Sequence, residues 1–463
     1  MNEKIYSDVY KKVDKLIKEK SLLISINFKG ITPWWGGNYE GRTSDKVNET
    51  EILGRLRWFL RTVYNRFCVS DLTSYKEAES KVSMYLGNTK NKSIYTFKVK
   101  NTKIKNGLDY SKLQRVKLIE SKQKSKDYEP KDLEEFTLQI YRNPNKSNKY
   151  DEIISNGVLI TLAFLGIGKG ANRGFGRFYP KDCKGLSICD EVNKGDVKGV
   201  FNKFYEIFKK VENCNKSNQW VDSAVPLAPL VKEGADSITE INCVIGNIRQ
   251  ILDIIQGSVL KSYLKVNSYN INIRDPGPFI HTWIYGLPRH SKVPESYKKD
   301  GNKIKVDQSK MNLEKDDLQI EDEQVKELKL MGYFELIDEK LKEPRRQSMF
   351  VISPVFFNNS YKIYVIPFLS LKDNEEEAKR LVHKGIHFNK NTIHLVGVQD
   401  ILNMKTNSNF KPYFKNKILI DQEVNLAKRK DNLSFGNPKD LIESYKNELI
   451  SNINKQCLQY YKQ

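Results

Sequence analysis

The chain has 463 residues, of which 78 are Lys or Arg and 57 are Asp or Glu, for a formal net charge of +21. With 39% hydrophobic and 11% aromatic residues it can build about two or three folded domains, which excludes wholesale disorder. A mean hydropathy of −0.59 and the lack of any apolar run of about 18 residues exclude a membrane-spanning helix, and the charged residues 1–20 lack the apolar core of a secretion signal.

Residues 1–150 carry a net +13 and residues 151–463 only +8. Such a surplus concentrates polyanions, which in a cytoplasm are mostly nucleic acids; the plainer alternative is that the lysines only keep the protein soluble. Cys68, Cys183, Cys189, Cys214, Cys243 and Cys457 are scattered, with no CxxC pair, as expected of a reducing, intracellular protein.

In chain order, residues 2–20 read as an amphipathic helix and residues 21–28 as a strand alternating Leu22, Ile24, Ile26 and Phe28. The turn-rich segment from Gly30 to Gly37 carries Trp34 and Trp35. A helix follows over 49–67, with Ile52, Leu56, Leu60, Val63 and Phe67 on one face and Arg55, Arg57, Trp58, Arg61 and Arg66 on the others. Ile94 to Val99 alternates as a strand, residues 101–131 read as a Lys-rich exposed loop or hairpin, and residues 136–141 form another strand. Residues 153–165 form an apolar helix, and a glycine-rich stretch leads into Phe178-Tyr179-Pro180. This order of strand, helix, strand, strand, helix, strand is the ferredoxin-like plan also used by RNA-recognition folds. The second half predicts helices at 198–211 and 238–265, an acidic, Lys-rich and partly helical insertion at 296–342, strands at 348–357 and 361–369, and helices at 375–384 and 438–461.

The stretch from Gly166 to Arg177 is the most informative. Gly166, Gly168 and Ala171 fit a dinucleotide pattern, with Asp190 near the position of a ribose-binding acid. That site requires a helix directly after the glycines, which Gly174, Gly176 and Pro180 oppose. No Gly-Lys-Ser/Thr is present, which excludes a triphosphate-binding loop. The remaining readings are a phosphate-docking loop bearing Lys169, Arg173 and Arg177, or a purely structural connection. Arg57 and Arg61 share a helix face, where they either meet phosphates or pair with acids such as Glu49 and Glu51. Trp34, Trp35 and Trp58 are base-stacking candidates or core.

Catalytic sets are poor. His383 and His387 are four apart, but Gly385 lies between them and no Cys partner is near; Cys183 and Cys189 lack a second pair for zinc. Neither a metal site nor a nuclease centre is assembled.

Taken in order, these segments resemble the RAMP superfamily of CRISPR effector proteins, and within it the first subunits of type III-B (Cmr) complexes. The residues that carry the resemblance are Ile31-Thr32-Pro33 with Gly36-Gly37, the helix Ile52-Leu53-Gly54-Arg55-Leu56-Arg57-Trp58-Phe59-Leu60-Arg61, Glu79 with Leu86-Gly87-Asn88-Thr89, and the glycine-rich loop to Phe178. In the second half they are Tyr285-Gly286-Leu287-Pro288-Arg289 and Arg345-Arg346-Gln347-Ser348. The resemblance implies an α+β protein of two tandem ferredoxin-like (RRM-like) RAMP domains with helical insertions, at 1–195 and 196–463. It implies a cytoplasmic, non-catalytic RNA-binding subunit without cofactor or metal, whose partners are CRISPR RNA, target RNA and the other Cmr-complex subunits, with no membrane. The expected RNA contacts are Arg55, Arg57, Arg61, Lys169, Arg173 and Arg177, with Trp35 stacking a base, and Arg345 and Arg346 in the second domain. The alternatives are a metal-independent RAMP endoribonuclease that processes CRISPR RNA, and a purely architectural subunit.

Overall fold

The computed structural model describes residues 21–37, 43–105, 110, 113, 129–260, 291–292, 297–300, 303–306, 329–330, 333–337, 340–342, 348–370, 381–383 and 438–461. The helices expected at 2–20 and most of 375–384 lie outside the described residues.

The first sheet comprises β1 (Leu22–Gly30), β2 (Tyr95–Lys105), β3 (Asp132–Arg142) and β4 (Phe178–Pro180), in the antiparallel order β2-β3-β1-β4. That order is the one the strand–helix–strand–strand–helix–strand plan requires when both crossovers lie on one face. Alternation turns Ile26 and Phe28 inward opposite Leu138 and Phe136, and the rings of Phe28 and Phe136 stack at 5.4 Å.

Helix α1 (Glu49–Phe67) is started by Asn48, whose side chain accepts from the Thr50 N–H at 3.0 Å, with Glu49 and Glu51 complementing the helix dipole. Glu49 also reaches the sheet edge, accepting from the Val99 N–H at 2.9 Å, and so caps a donor of edge strand β2. Helix α2 (Lys76–Leu86), not anticipated from the sequence, ends at Gly87, whose φ of 71° is open to glycine. Helix α3 (Asp151–Ile160) continues as a π-turn through Leu165. Helix α4 (Cys189–Asn193) is short, and α5 (Val197–Glu212) packs Phe201, Phe204 and Phe208 onto α1 and α3, so one core runs past residue 195.

The second sheet is β5 (Thr239–Ile245), β6 (Phe350–Phe357) and β7 (Ser360–Pro367), in the order β6-β7-β5. Asn358 and Asn359, both at positive φ, close the two-residue turn between β6 and β7. Helices α6 (Ile248–Leu260) and α7 (Pro438–Tyr461) cover the sheet through Ile251, Ile255, Tyr445, Leu449 and Ile453. The single helix expected over 238–265 is instead strand then helix. Residues 239–245 alternate, Gly246 breaks the pattern, and the Asn247 side chain caps α6 by accepting from the Arg249 N–H at 2.8 Å.

Two further expectations change. Within 101–131, residues 101–105 extend β2 as the mostly exposed arm of a hairpin with β3, but the exposed reading fails at Tyr110 and Leu113, which are buried beside Trp35 and Phe175. Within 296–342 the described backbone is strand rather than helix, including the hairpin Tyr297–Asp300 with Lys303–Val306; Leu381–His383 is also strand. A second complete strand–helix–strand–strand–helix–strand unit is not present among the described residues.

Candidate nucleic-acid interface

The glycine-rich loop is zipped to the segment after β1. Ile31 N–H donates to Arg177 O at 2.9 Å, Gly176 N–H to Pro33 O at 2.9 Å, and Lys169 N–H to Trp35 O at 2.6 Å. Gly176 sits at a φ of 68°, where a Cβ would lie 2.0 Å from Ile167 O, so both sterics and backbone demand glycine.

This tight path turns the loop arginines inward. Arg177 is fully buried: its Nε donates to Ser353 Oγ at 3.1 Å, Nη1 to Phe175 O at 2.7 Å and Nη2 to Ala171 O at 2.8 Å. Arg173 is buried too, with Nη1 reaching Ser348 Oγ at 3.1 Å and Phe350 O at 3.3 Å, while the Ile352 N–H donates to Asn172 O at 3.1 Å. Arg55 donates to Asn172 Oδ1 at 2.7 Å and Leu165 O at 3.2 Å and lies 4.1 Å over the Trp58 ring; burial pushes its guanidinium down to about 9. These arginines join the loop to α1 and to the second sheet. In this conformation they present no surface to a phosphate, because the carbonyls that would otherwise lose their donors have captured them.

Trp35 is fully buried, its ring 5.8 Å from that of Phe175, and offers no stacking face. Trp34 is also buried, donating from Nε1 to Glu51 Oε2 at 3.0 Å, while the Gly37 N–H donates to Glu51 Oε1 at 3.1 Å. Desolvation raises the Glu51 carboxyl above its ordinary value, against the opposing hydrogen bonds from Gly37 and Trp34 and the charge of Lys169. Trp58 is buried against Phe368.

Arg57 and Arg61 lie on another side of α1, half-buried against α2. Arg57 Nη2 caps the helix by donating to Leu86 O at 2.6 Å and Gly87 O at 3.1 Å. Arg61 pairs with Glu79 at 2.7 Å, and its side chain remains 27% exposed. Lys169 is half-buried, next to the exposed Gly168. The expected cluster is therefore not one site: Arg57 and Arg61 face α2, and Lys169 sits on the loop. Arg345 and Arg346 lie outside the described residues, as do the side chains of all five histidines.

A basic surface that the sequence reading passed over lies on the solvent face of the first sheet. Lys98, Gln139 and Ser25 align across three strands, then Lys100, Thr137 and Asn27, then Lys103, Glu135 and Lys29. Lys29, Lys98, Lys100 and Lys103 are exposed, and neighbours two apart on a strand are about 7 Å apart. Hydrogen bonds from Lys103 and Lys181 hold the Glu135 carboxyl down at about 2. Tyr141 lies on the same face, with Lys98 Nζ 5.1 Å over its ring. The available signal was the antiphase of Lys98 and Lys100 with the inward Tyr95, Phe97 and Val99.

Residues 27–179, which hold β2, β3, the end of β1, most of β4 and the glycine-rich loop, match the family model of the RAMP superfamily. This segment is therefore similar to the RAMP superfamily. The matched segment thus contains Lys29, Lys98, Lys100 and Lys103 of the sheet face together with the inward-turned arginines. A comparison with curated protein sequences found no match. Among solved structures the chain is similar to Cmr1 from Pyrococcus furiosus in its apo form, at 13% identity and a TM-score of 0.45, over 75% of this chain and 87% of that one. It is also similar to a chain of the type III-B Cmr-beta complex bound to cognate target RNA, at 16% identity and a TM-score of 0.43, over 75% of this chain and 94% of that one.

All six cysteines are paired, contrary to the reading of scattered thiols: Cys68 with Cys214, Cys183 with Cys189 and Cys243 with Cys457. Two of the pairs join residues 146 and 214 positions apart, which no local spacing announces. Among the described residues no helix is long and apolar enough to cross a membrane, and no group of three or more His, Cys, Asp or Glu is arranged to hold a metal ion.

Proposed function

We propose that the protein is a non-catalytic, cytoplasmic RNA-binding subunit of a type III-B (Cmr) CRISPR complex. It would be built of two RAMP domains, the first extending past the boundary expected at 195 to include α5, and work with guide RNA, target RNA and the other Cmr subunits. The observation that carries this reading is the lysine-bearing open sheet inside the segment that matches the RAMP superfamily. Lys29, Lys98 and Lys100 contact phosphates and Tyr141 stacks on a base, since an open sheet with cations and an aromatic suits single-stranded RNA. Lys169 on the loop and the partly exposed Arg57 and Arg61 are further contacts, and Arg345 and Arg346 are proposed for the second domain.

The test is RNA binding across a salt series by a Lys29→Gln, Lys98→Gln, Lys100→Gln protein. Each lost phosphate contact should flatten the slope of log affinity against log salt by about 0.7, so the triple variant should lose about 2. Unchanged affinity with an unchanged slope overturns the assignment. Specific cleavage of labelled repeat RNA by the purified protein would instead establish the endoribonuclease reading.

A further inference from the structure

Cys68 and Cys214 sit where two helices end. Cys68 follows α1, with its N–H donating to Tyr64 O at 2.9 Å. Cys214 follows Asn213, the left-handed cap of α5, and its N–H donates to Lys209 O at 3.2 Å. Both are partly exposed, whereas Cys183, Cys189, Cys243 and Cys457 are buried, at 5% exposure or less. We propose that Cys68 and Cys214 form a solvent-addressable redox tether between α1 and α5, set by the surrounding thiol–disulfide balance while the two buried pairs are shielded.

The sulfurs are held together by more than their own bond. Asn218 N–H donates to Arg66 O at 2.8 Å, and Arg66 Nη1 returns a bond to Asn218 O at 2.7 Å. Asn218 Nδ2 spans Asn65 O at 2.8 Å and Val69 O at 2.9 Å, and Lys216 Nζ meets Ser70 Oγ at 2.7 Å. Residues 214–218 are thereby docked against 65–70 whether or not the sulfurs are linked, so the reduced pair stays poised for closure. Both thiols also lie at the negative ends of helix dipoles, which removes the thiolate stabilisation that keeps catalytic dithiols reduced. The site has the character of a tether rather than of an exchange catalyst.

With a small-molecule disulfide as oxidant, one protein thiolate attacks it and breaks its S–S bond, releasing one small thiolate and leaving a mixed disulfide. The second protein thiolate attacks the protein-side sulfur, releasing the other small thiolate, and the two thiol protons pass to the released pair. The protein dithiol is oxidised and the small disulfide reduced to two thiols.

The experiment equilibrates the folded, full-length protein with glutathione buffers from reducing to oxidising, quenches with acid, alkylates and maps the peptides. The expected result is a Cys68–Cys214 cross-link in oxidising buffer. Gentle reduction of the folded protein should then expose Cys68 and Cys214 to alkylation while the other four cysteines stay protected. Full alkylation of Cys68 and Cys214 after oxidation, or opening of the buried pairs first, overturns the proposal. A Cys214→Ser protein should melt about 5 °C or more below wild type in oxidising buffer and together with it in reducing buffer. The same melting gap in both buffers would also refute the tether.

Discussion

Arg177, on the glycine-rich loop, donates from Nε to Ser353 Oγ at 3.1 Å on the second sheet, and Ser353 Oγ passes the bond on to Phe164 O at 2.7 Å. One guanidinium thus joins the π-turn that ends α3, the loop and strand β6. Burial of this charge pushes its pKa well down, with the neighbouring Arg55 adding to the effect.

Replacing Arg177 by Met should therefore act on folding before it acts on RNA. The carbonyls of Phe175 and Ala171 would lose their donors, at about 1–3 kcal/mol for each orphaned buried group, partly offset by removal of a desolvated charge. A net loss of about 3 kcal/mol in denaturant unfolding is expected, with the salt slope of RNA binding unchanged in whatever fraction remains folded. A wild-type midpoint together with a flattened salt slope would return Arg177 to the phosphate-contacting set.

Gly176→Ala tests the loop's path, and Gly185→Ala is its internal control. Both glycines have positive φ, 68° and 87°, but only at Gly176 would the new Cβ strike backbone, whereas nothing lies within 4 Å at Gly185. Gly185→Ala should cost the left-handed penalty alone, about 1–2 kcal/mol. Gly176→Ala should cost at least about 2 kcal/mol more, because the Ile167 carbonyl must move. Equal losses in urea melts would show that the loop relaxes freely.

Lys446 of α7 supplies a pH test. Its Nζ donates to Ser237 O at 2.9 Å and Gly234 O at 3.0 Å, and burial pushes the ammonium down to about 8 despite the nearby Asp236 and Glu443. Between about pH 8 and the ordinary 10.5 the unfolded chain keeps a proton that the folded chain has lost, so this group's contribution to stability rises with pH in that window. Lys446→Met should flatten the stability-against-pH curve there relative to wild type, in chemical unfolding at matched ionic strength. Parallel curves would show that the Lys446 proton affinity is unchanged by folding.

Much of the first domain was legible because its signals are local. Asn48 and the Ile52-to-Phe67 stripe marked α1, and the alternation of β1 and β3 marked the strands on either side of it. The second half was read less well. Residues 239–245 have an apolar content that suits either a helix or a strand, and only pairing with β7 decides for the strand. Helix α2 was missed because Lys76 to Ser83 is polar on its exposed faces and owes its place to packing on α1.

The basic surplus of this chain, its concentration in the first third and the RAMP-like order of its motifs are fixed by the sequence, because residue type and spacing along the chain are all they require. Which cations face solvent was decided by the tertiary structure. Closing the glycine loop against the second sheet brings buried carbonyls within reach of Arg55, Arg173 and Arg177, and a guanidinium bonded to them in the core is no longer available to RNA. The strand period meanwhile turns Lys98 and Lys100 to the exposed face of the sheet. Pairing of the cysteines across 146 and 214 residues belongs to the same class of fact, since proximity between distant segments arises only when the chain has folded.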